Sequence, residues 1–288
     1  MRFTCFACWD WSGAAVARPP GLALAVADRD GPPRLVDRRW SREDALAWLR
    51  DAARSGEPML IGLDLSPALP FADQGSYFPG WPDSPPDARA LWRLVDGLCA
   101  DDPHLSADGV LRHPEIARHF RHRGAKGDRF GEGRGRLRVT ERAMPGLPSS
   151  CFNLVGPAQV GKSSLTGMRV LHRLGGAIPV WPFDPVPPGG PVLVEVYPRL
   201  AALAAGVPNG RKLRDAAALG AALAALGSPD HGPLARCTDH ATDAILTAAW
   251  LRRVAPREEL WAVRDPALAR TEGWTFGVPW RIGRAGPV

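Results

Sequence analysis

Apolar positions open the chain in three short bursts. RFTCFACWDW ends on Asp10, GLALAVADRD runs into the turn DGPP, and PRLVDRRW follows. Three such runs separated by turn residues predict an antiparallel meander. The period then changes. In SREDALAWLRDAARSG, Ser41 is an N-cap with Asp44 three residues on, apolar residues fall at 45, 46, 48 and 49, and Gly56 closes the segment, which predicts a helix. PMLIGLDLS is continuously apolar up to Asp64, the pattern of a buried strand. From 67 to 150 the pattern breaks up: SPALPFADQGSYFPGWPDSPPD is loop by its Pro and Gly content, with one helix expected around 87–99. Order returns with FNLV as a possible strand and a helix through about 174. PVWPFDPVPPGGP reads as a connection and VLVEVYP as a buried strand carrying Glu195. A short helix from about 198, an Ala/Leu-rich helix around 213–226 and a final helix in TDHATDAILTAAWLRRV complete the chain.

The order is α/β: three antiparallel strands, then alternating helices and strands. It predicts an RNase H-like mixed sheet, antiparallel at first and parallel later, flanked by helices. Residues 1–66 and 151–288 form the expected core, and residues 67–150 a large, loop-rich, basic insertion at the end of a strand, where functional loops sit.

Charge sharpens the insertion. The 288 residues carry a formal net charge of +6. Between Arg112 and Arg142 stand ten Lys/Arg against four Asp/Glu, so this segment holds the whole surplus. It is either the electrostatic footprint for a polyanion or a solvated loop. On the first reading Arg118, Arg121, Arg123, Lys126, Arg129, Arg134, Arg136 and Arg138 contact nucleic-acid phosphates, with Phe120, Phe130 or Trp81 available for stacking. No apolar run reaches ~18 residues, and Asp10 interrupts the N-terminal apolar stretch, so a cytoplasmic protein is expected. Of five cysteines, Cys5 and Cys8 form a CxxC, but residues three apart on a strand face opposite sides, so inert buried thiols are expected.

GPAQVGKS at 156–163 matches the letters of a phosphate-binding P-loop. Several features oppose that reading: its place past mid-chain, Pro157 removing a loop N–H, the lack of an apolar strand ending in Asp downstream, and a short following helix. We read it as the turn into a core helix, with Lys162 at most a phosphate contact.

The acids are more informative. Asp10 and Asp64 end apolar strands, Glu195 lies within one, and Asp239 and Asp243 are i, i+4 on the last helix. Carboxylates in apolar strands are costly unless compensated, so convergence of Asp10, Asp64, Glu195, Asp239 and Asp243 on Mg²⁺ or Mn²⁺ is expected, with Asp10, Asp64 and Asp243 as the metal ligands. The simpler alternatives are an N-cap for Asp239, a surface acid for Asp243, and a pairing of Glu195 with Arg199 or Arg214.

DWSGA at 10–14, IGLDLSPALP at 61–70, VEVYPRLAALAAG at 194–206 with RKLRD after it, DHATDAILTAAWL at 239–251 and EGWTFGVP at 272–279 resemble, in order, the motifs of the family called domain of unknown function four-two-nine, predicted nucleases of RNase H-like fold. The resemblance implies that fold, a site at the five acids above, and metal-dependent phosphodiester hydrolysis on nucleic acid. Arg199 stands where the family often has Glu. A non-catalytic nucleic-acid binder on the same scaffold, or an ATP-binding protein using 156–163, are the alternative readings.

Overall fold

The computed structural model describes residues 2–145, 148–154, 160–234 and 237–280. Its strands and helices, in chain order, are β1 (Cys5–Asp10), β2 (Ala23–Asp28), β3 (Arg34–Leu35), α1 (Arg42–Ser55), β4 (Met59–Asp64), α2 (Ala88–Leu98), α3 (Pro114–Ala117), β5 (Arg121–His122), β6 (Ala125–Lys126), α4 (Val139–Ala143), α5 (Val160–Leu174), β7 (Val180–Trp181), β8 (Val192–Glu195), α6 (Pro198–Ala204), α7 (Ala216–Ala225), α8 (Asp239–Val254) and α9 (Pro266–Glu272). The main sheet has six strands in the order β3-β2-β1-β4-β8-β7. β1 pairs antiparallel with β2, and β2 with β3, while β1–β4, β4–β8 and β8–β7 are parallel. This is the expected α/β architecture of a mixed sheet flanked by helices.

The sequence expectations differ from the fold at four places. The 67–150 segment, expected to hold one helix, also contains α3, α4 and the β5–β6 hairpin. The third strand shrinks to Arg34–Leu35. Of FNLV, Val155 lies outside the described residues and Phe152–Leu154 form no strand, Asn153 making an isolated bridge to Arg121. The Pro-rich connection contributes the edge strand β7, which is two residues long and too short to leave a periodic signal.

Two apolar layers sandwich the sheet, and strand parity assigns each residue to one of them. Cys5, Ala7, Trp9, Ile61, Leu63 and Leu193 face a cluster with α1, α2 and α5. Phe6, Cys8, Leu60, Val192 and Val194 face α6, α7 and α8. The two thiols of the CxxC therefore lie in opposite cores, and both are free. Residues of the 67–150 segment, among them Tyr77, Phe78, Phe120 and Phe130, are buried in the first cluster, so much of the insertion is a cover over the α1–α5 layer.

Local chemistry explains the elements that frame the strand ends. α1 starts on a capping box in which Ser41 and Asp44 satisfy each other's backbone N–H. From its first residue the buried Arg42 guanidinium donates to the carbonyls of Ser12 and Ala14 and to that of His104. The loop leaving Asp10 is thereby clamped, and burial pulls Arg42 down to about 10. Gly13 in that loop lies against the first turn of α5, where a Cβ would stand 2.4 Å from the Ser163 nitrogen. Gly62 performs the same service on the other face, since a Cβ there would meet Val196 and Leu251 of α8 at 2.8 and 3.0 Å.

Among the described residues no helix is long and apolar enough to cross a membrane.

Candidate functional site

β1 and β4 are parallel neighbours, and their register places Asp10 directly beside Asp64. Both side chains point to the α8 face, at the carboxyl ends of their strands. Asp10 is buried and accepts a hydrogen bond from His240 Nδ1 at 2.8 Å. Gly21 packs against that ring, where a Cβ would come within 2.9 Å of it. Burial raises Asp10 to about 6 against the opposing pull of His240, while Asp243 pushes further upward. His240 in turn is held above its ordinary value, first by the hydrogen bond to Asp10.

Asp64 has no hydrogen-bond partner among the described residues. Burial holds it well above the usual carboxylate range, and the charges of Asp10 and Asp243 add to this. Two acids side by side with one unpartnered is an arrangement a protein pays for unless a cation or proton joins it.

α8 lines this face with its own acids. Thr238 caps the helix, accepting from the Ala241 N–H, so Asp239 is not the N-cap. Asp239 pairs with Arg214 through two contacts, at 2.9 and 3.2 Å. Asp243 receives Lys212 Nζ at 2.5 Å. Lys212 and Arg214 are two residues apart in an extended segment, and Asp239 and Asp243 are one helical turn apart, so the two pairs run alongside each other. Burial lowers Lys212, but Asp243 and then Asp10 more than restore it above its ordinary value. Lys212 thus supplies positive charge to the same carboxylate group.

Glu195 is a correction to the expected five-acid convergence. Its register partner on β4 is Leu63, one residue short of Asp64, so its side chain points to the opposite face of the sheet. There it is held neither by Arg199 nor by Arg214 but by Arg138, which makes two hydrogen bonds to it. Arg138 is fully buried and also donates to Glu141, Ser66 and the Glu272 carbonyl. Thr275 completes Glu195 with a 2.9 Å hydrogen bond. Burial raises Glu195, and Arg138 opposes that rise. The Glu272 carboxylate beside it accepts from the backbone N–H groups of Phe71, Ala72 and Val139, both ends of the insertion.

The basic segment is likewise redistributed. Arg138 and Arg136 are buried and do not face a partner. Arg136 makes two bonds to Asp73 and donates to the carbonyls of Pro70, Ser76 and Tyr77. Arg118 is paired with Asp128 and Glu115, Arg129 is bonded to the Pro79 carbonyl, and Lys162 holds Asp108 at 2.8 Å. Arg134 is exposed. Phe120 and Phe130 are buried core residues, which removes them as stacking platforms. Arg121, Arg123 and Lys126 remain exposed on the β5–β6 hairpin without an ion pair among the described residues. Of the P-loop-like stretch, Gly156 to Gln159 lie outside the described residues. Val160–Ser163 form the first turn of α5, and Gly161 is needed there because a Cβ would meet the Cys151 carbonyl at 2.3 Å.

Among the described residues no group of three or more His, Cys, Asp or Glu is arranged to hold a metal ion by itself. Mg²⁺ is ordinarily bound by one or two carboxylates with water and substrate phosphate. The Asp10–Asp64 pair, hard oxygen donors with one member unpartnered, fits that mode, and a closed all-protein cage is not present in the described residues.

The residues that sequence reasoning missed are His240 and Lys212, while Arg138, which it placed on nucleic-acid phosphates, holds Glu195 instead. The first two had a local signal: His240 follows Asp239 directly, and the Lys212/Arg214 spacing complements the Asp239/Asp243 spacing. Comparison with family models, with curated proteins and with solved structures finds no match to this chain.

Proposed function

We propose that this chain is a metal-dependent nuclease of RNase H-like fold, related to the domain-of-unknown-function family it resembles, that hydrolyses phosphodiester bonds of nucleic acid at Asp10, Asp64 and Asp243. The observation that carries this reading is the in-register Asp10–Asp64 pair with Asp64 unpartnered. The strand order, antiparallel on one side of β1 and parallel on the other, supports the fold assignment. Asp10 and Asp64 would hold Mg²⁺ or Mn²⁺, and Asp243 would join them once released from Lys212. When bound, the ion activates water and stabilises the leaving oxygen. His240 orients the Asp10 carboxylate and remains half exposed toward solvent. Lys212 neutralises the acids and stands ready to meet a phosphate. Glu195 and Asp239 act in this scheme as structural acids.

The test is cleavage of single- and double-stranded DNA and RNA with Mn²⁺. Asp10→Asn and Asp64→Asn should each lower the rate by at least ~100-fold, the upper end of what a supporting residue costs. Unchanged cleavage in either variant overturns the assignment. A second reading, a non-catalytic nucleic-acid binder, is favoured by Lys212, which already provides a cation to Asp243. It predicts binding that survives Asp10→Asn with no metal-dependent cleavage by the wild type.

A further inference from the structure

The basic surplus of the 112–142 segment resolves into one small surface. Most of its cations are buried, ion-paired or held by carbonyls, while the β5–β6 hairpin presents Arg121, Arg123 and Lys126 to solvent. Among the described residues Lys126 meets the ring of Phe130, at 5.8 Å, and no acid. Two features of this hairpin are unfavourable in isolation. Arg121 and Lys126 are direct cross-strand partners, so two like charges project from the same face. Arg123 occupies the left-handed region at φ 48° beside Gly124 at φ 83°, in a two-residue turn where Asn-Gly or Gly-Gly is the ordinary solution. Both costs fall away or acquire a purpose when an anion lies across the hairpin.

The hairpin is also joined to the candidate site. The Arg121 N–H donates to the Phe152 carbonyl and the Leu154 N–H to that of Arg121. Phe152–Leu154 abut the first turn of α5, which packs on Gly13, three residues beyond Asp10.

Resting on the nuclease reading above, we infer that Arg121, Arg123 and Lys126 form a clamp for the phosphate backbone of double-stranded nucleic acid. The duplex is favoured because the hairpin carries no exposed ring: Phe130 beside it is buried, and Trp81, half-buried, is already packed against His113 and Phe78. Single strands are held largely by aromatic stacking, whereas a duplex presents the denser array of phosphates. The clamp carries no base-reading group and is indifferent to sequence.

The experiment is titration of the full chain against a fluorescent DNA duplex in EDTA, at several salt concentrations. Each cation lost should flatten the slope of log Kobs against log[salt] by about 0.9, hence by about 2.7 in R121Q/R123Q/K126Q. Arg54→Gln, remote on α1, should leave the slope unchanged. Arg123→Gly should lose its share of the slope while its Tm stays level or rises, because glycine removes the left-handed strain. An unchanged slope in the triple variant overturns the clamp while wild-type duplex binding keeps the nuclease reading alive. Failure of the wild type to bind any nucleic acid overturns both. Stronger binding of a single strand than of the duplex, of phosphatidylserine vesicles in place of DNA, or a falling Tm in Arg123→Gly, also overturns the clamp.

Discussion

The two faces of the central sheet treat buried acids in opposite ways. On the α1–α5 face, Glu195 is saturated: Arg138 and Thr275 bond it, and Glu141 and Glu272 complete a network that ties the insertion to the core. On the α8 face, buried Asp10 has one histidine, and half-buried Asp64 has no hydrogen-bond partner among the described residues. The first arrangement is what a fold does with a carboxylate it needs for architecture. The second keeps unmet electrostatic demand at a strand end, as functional sites do.

The largest effect separating the faces is expected from Arg138→Met. It leaves Glu195 and Glu141 buried without their cation and should cost about 3–5 kcal/mol, read by urea unfolding. A small loss would mean that the network is not what fastens the insertion. On the other face the sign reverses. Asp10 is raised from 3.8 to about 6, so the folded state holds its proton more tightly than the unfolded chain. Metal-free stability should therefore fall as pH rises from about 4 through about 6. At 1.36 kcal/mol for each pH unit separating the two values, the fall approaches about 3 kcal/mol. Asp10→Asn should remove the Asp10 share of that fall, leaving the share due to Asp64, and unfold at higher urea near neutral pH, and a variant that is less stable there breaks the contrast. His240 acts in the same direction at higher pH, because its raised value gives stability below about 6.5 that is lost as the proton leaves. The smallest effect is the ligand one. Mn²⁺ at ~100 times its Kd should stabilise the wild type by about 2.7 kcal/mol, and Asp64→Asn should lose this gain, whereas Glu195→Gln, whatever its own stability, should keep it. Equal gains in all three proteins would place the ion elsewhere.

Much of the scaffold was legible. The β1 and β4 runs end on their acids because an apolar strand tolerates a carboxylate only at its exit, and the Ser41–Asp44 box announced α1. The Asp10–Asp64 partnership followed from two similar runs that end alike. Glu195 misled because a strand's facing depends on register, which neighbouring strands set and the sequence of β8 does not contain. The arginines misled for a related reason. Arg136 and Arg138 reach acids 63 and 57 residues away, and no local periodicity distinguishes such a residue from an exposed one in a basic loop. Arg121, Arg123 and Lys126 have the same local composition and opposite fates. His240 lay inside a motif already singled out for its acids and Lys212 inside one quoted for the family resemblance, and their part in the site follows from α8 crossing β1 and from the segment before α7 running alongside it.

The parity of β8 also prescribes how this scaffold could be re-engineered. A third acid beside Asp10 and Asp64 cannot come from position 195. Asp243 approaches the pair from α8, so a further acid from the sheet itself would have to come from the next residue on the α8 side, Val196, whose methyl groups already approach Gly62. Val196→Asp would add a sheet carboxylate to the Asp10–Asp64 edge in place of a buried valine, one that needs no release from Lys212 as Asp243 does.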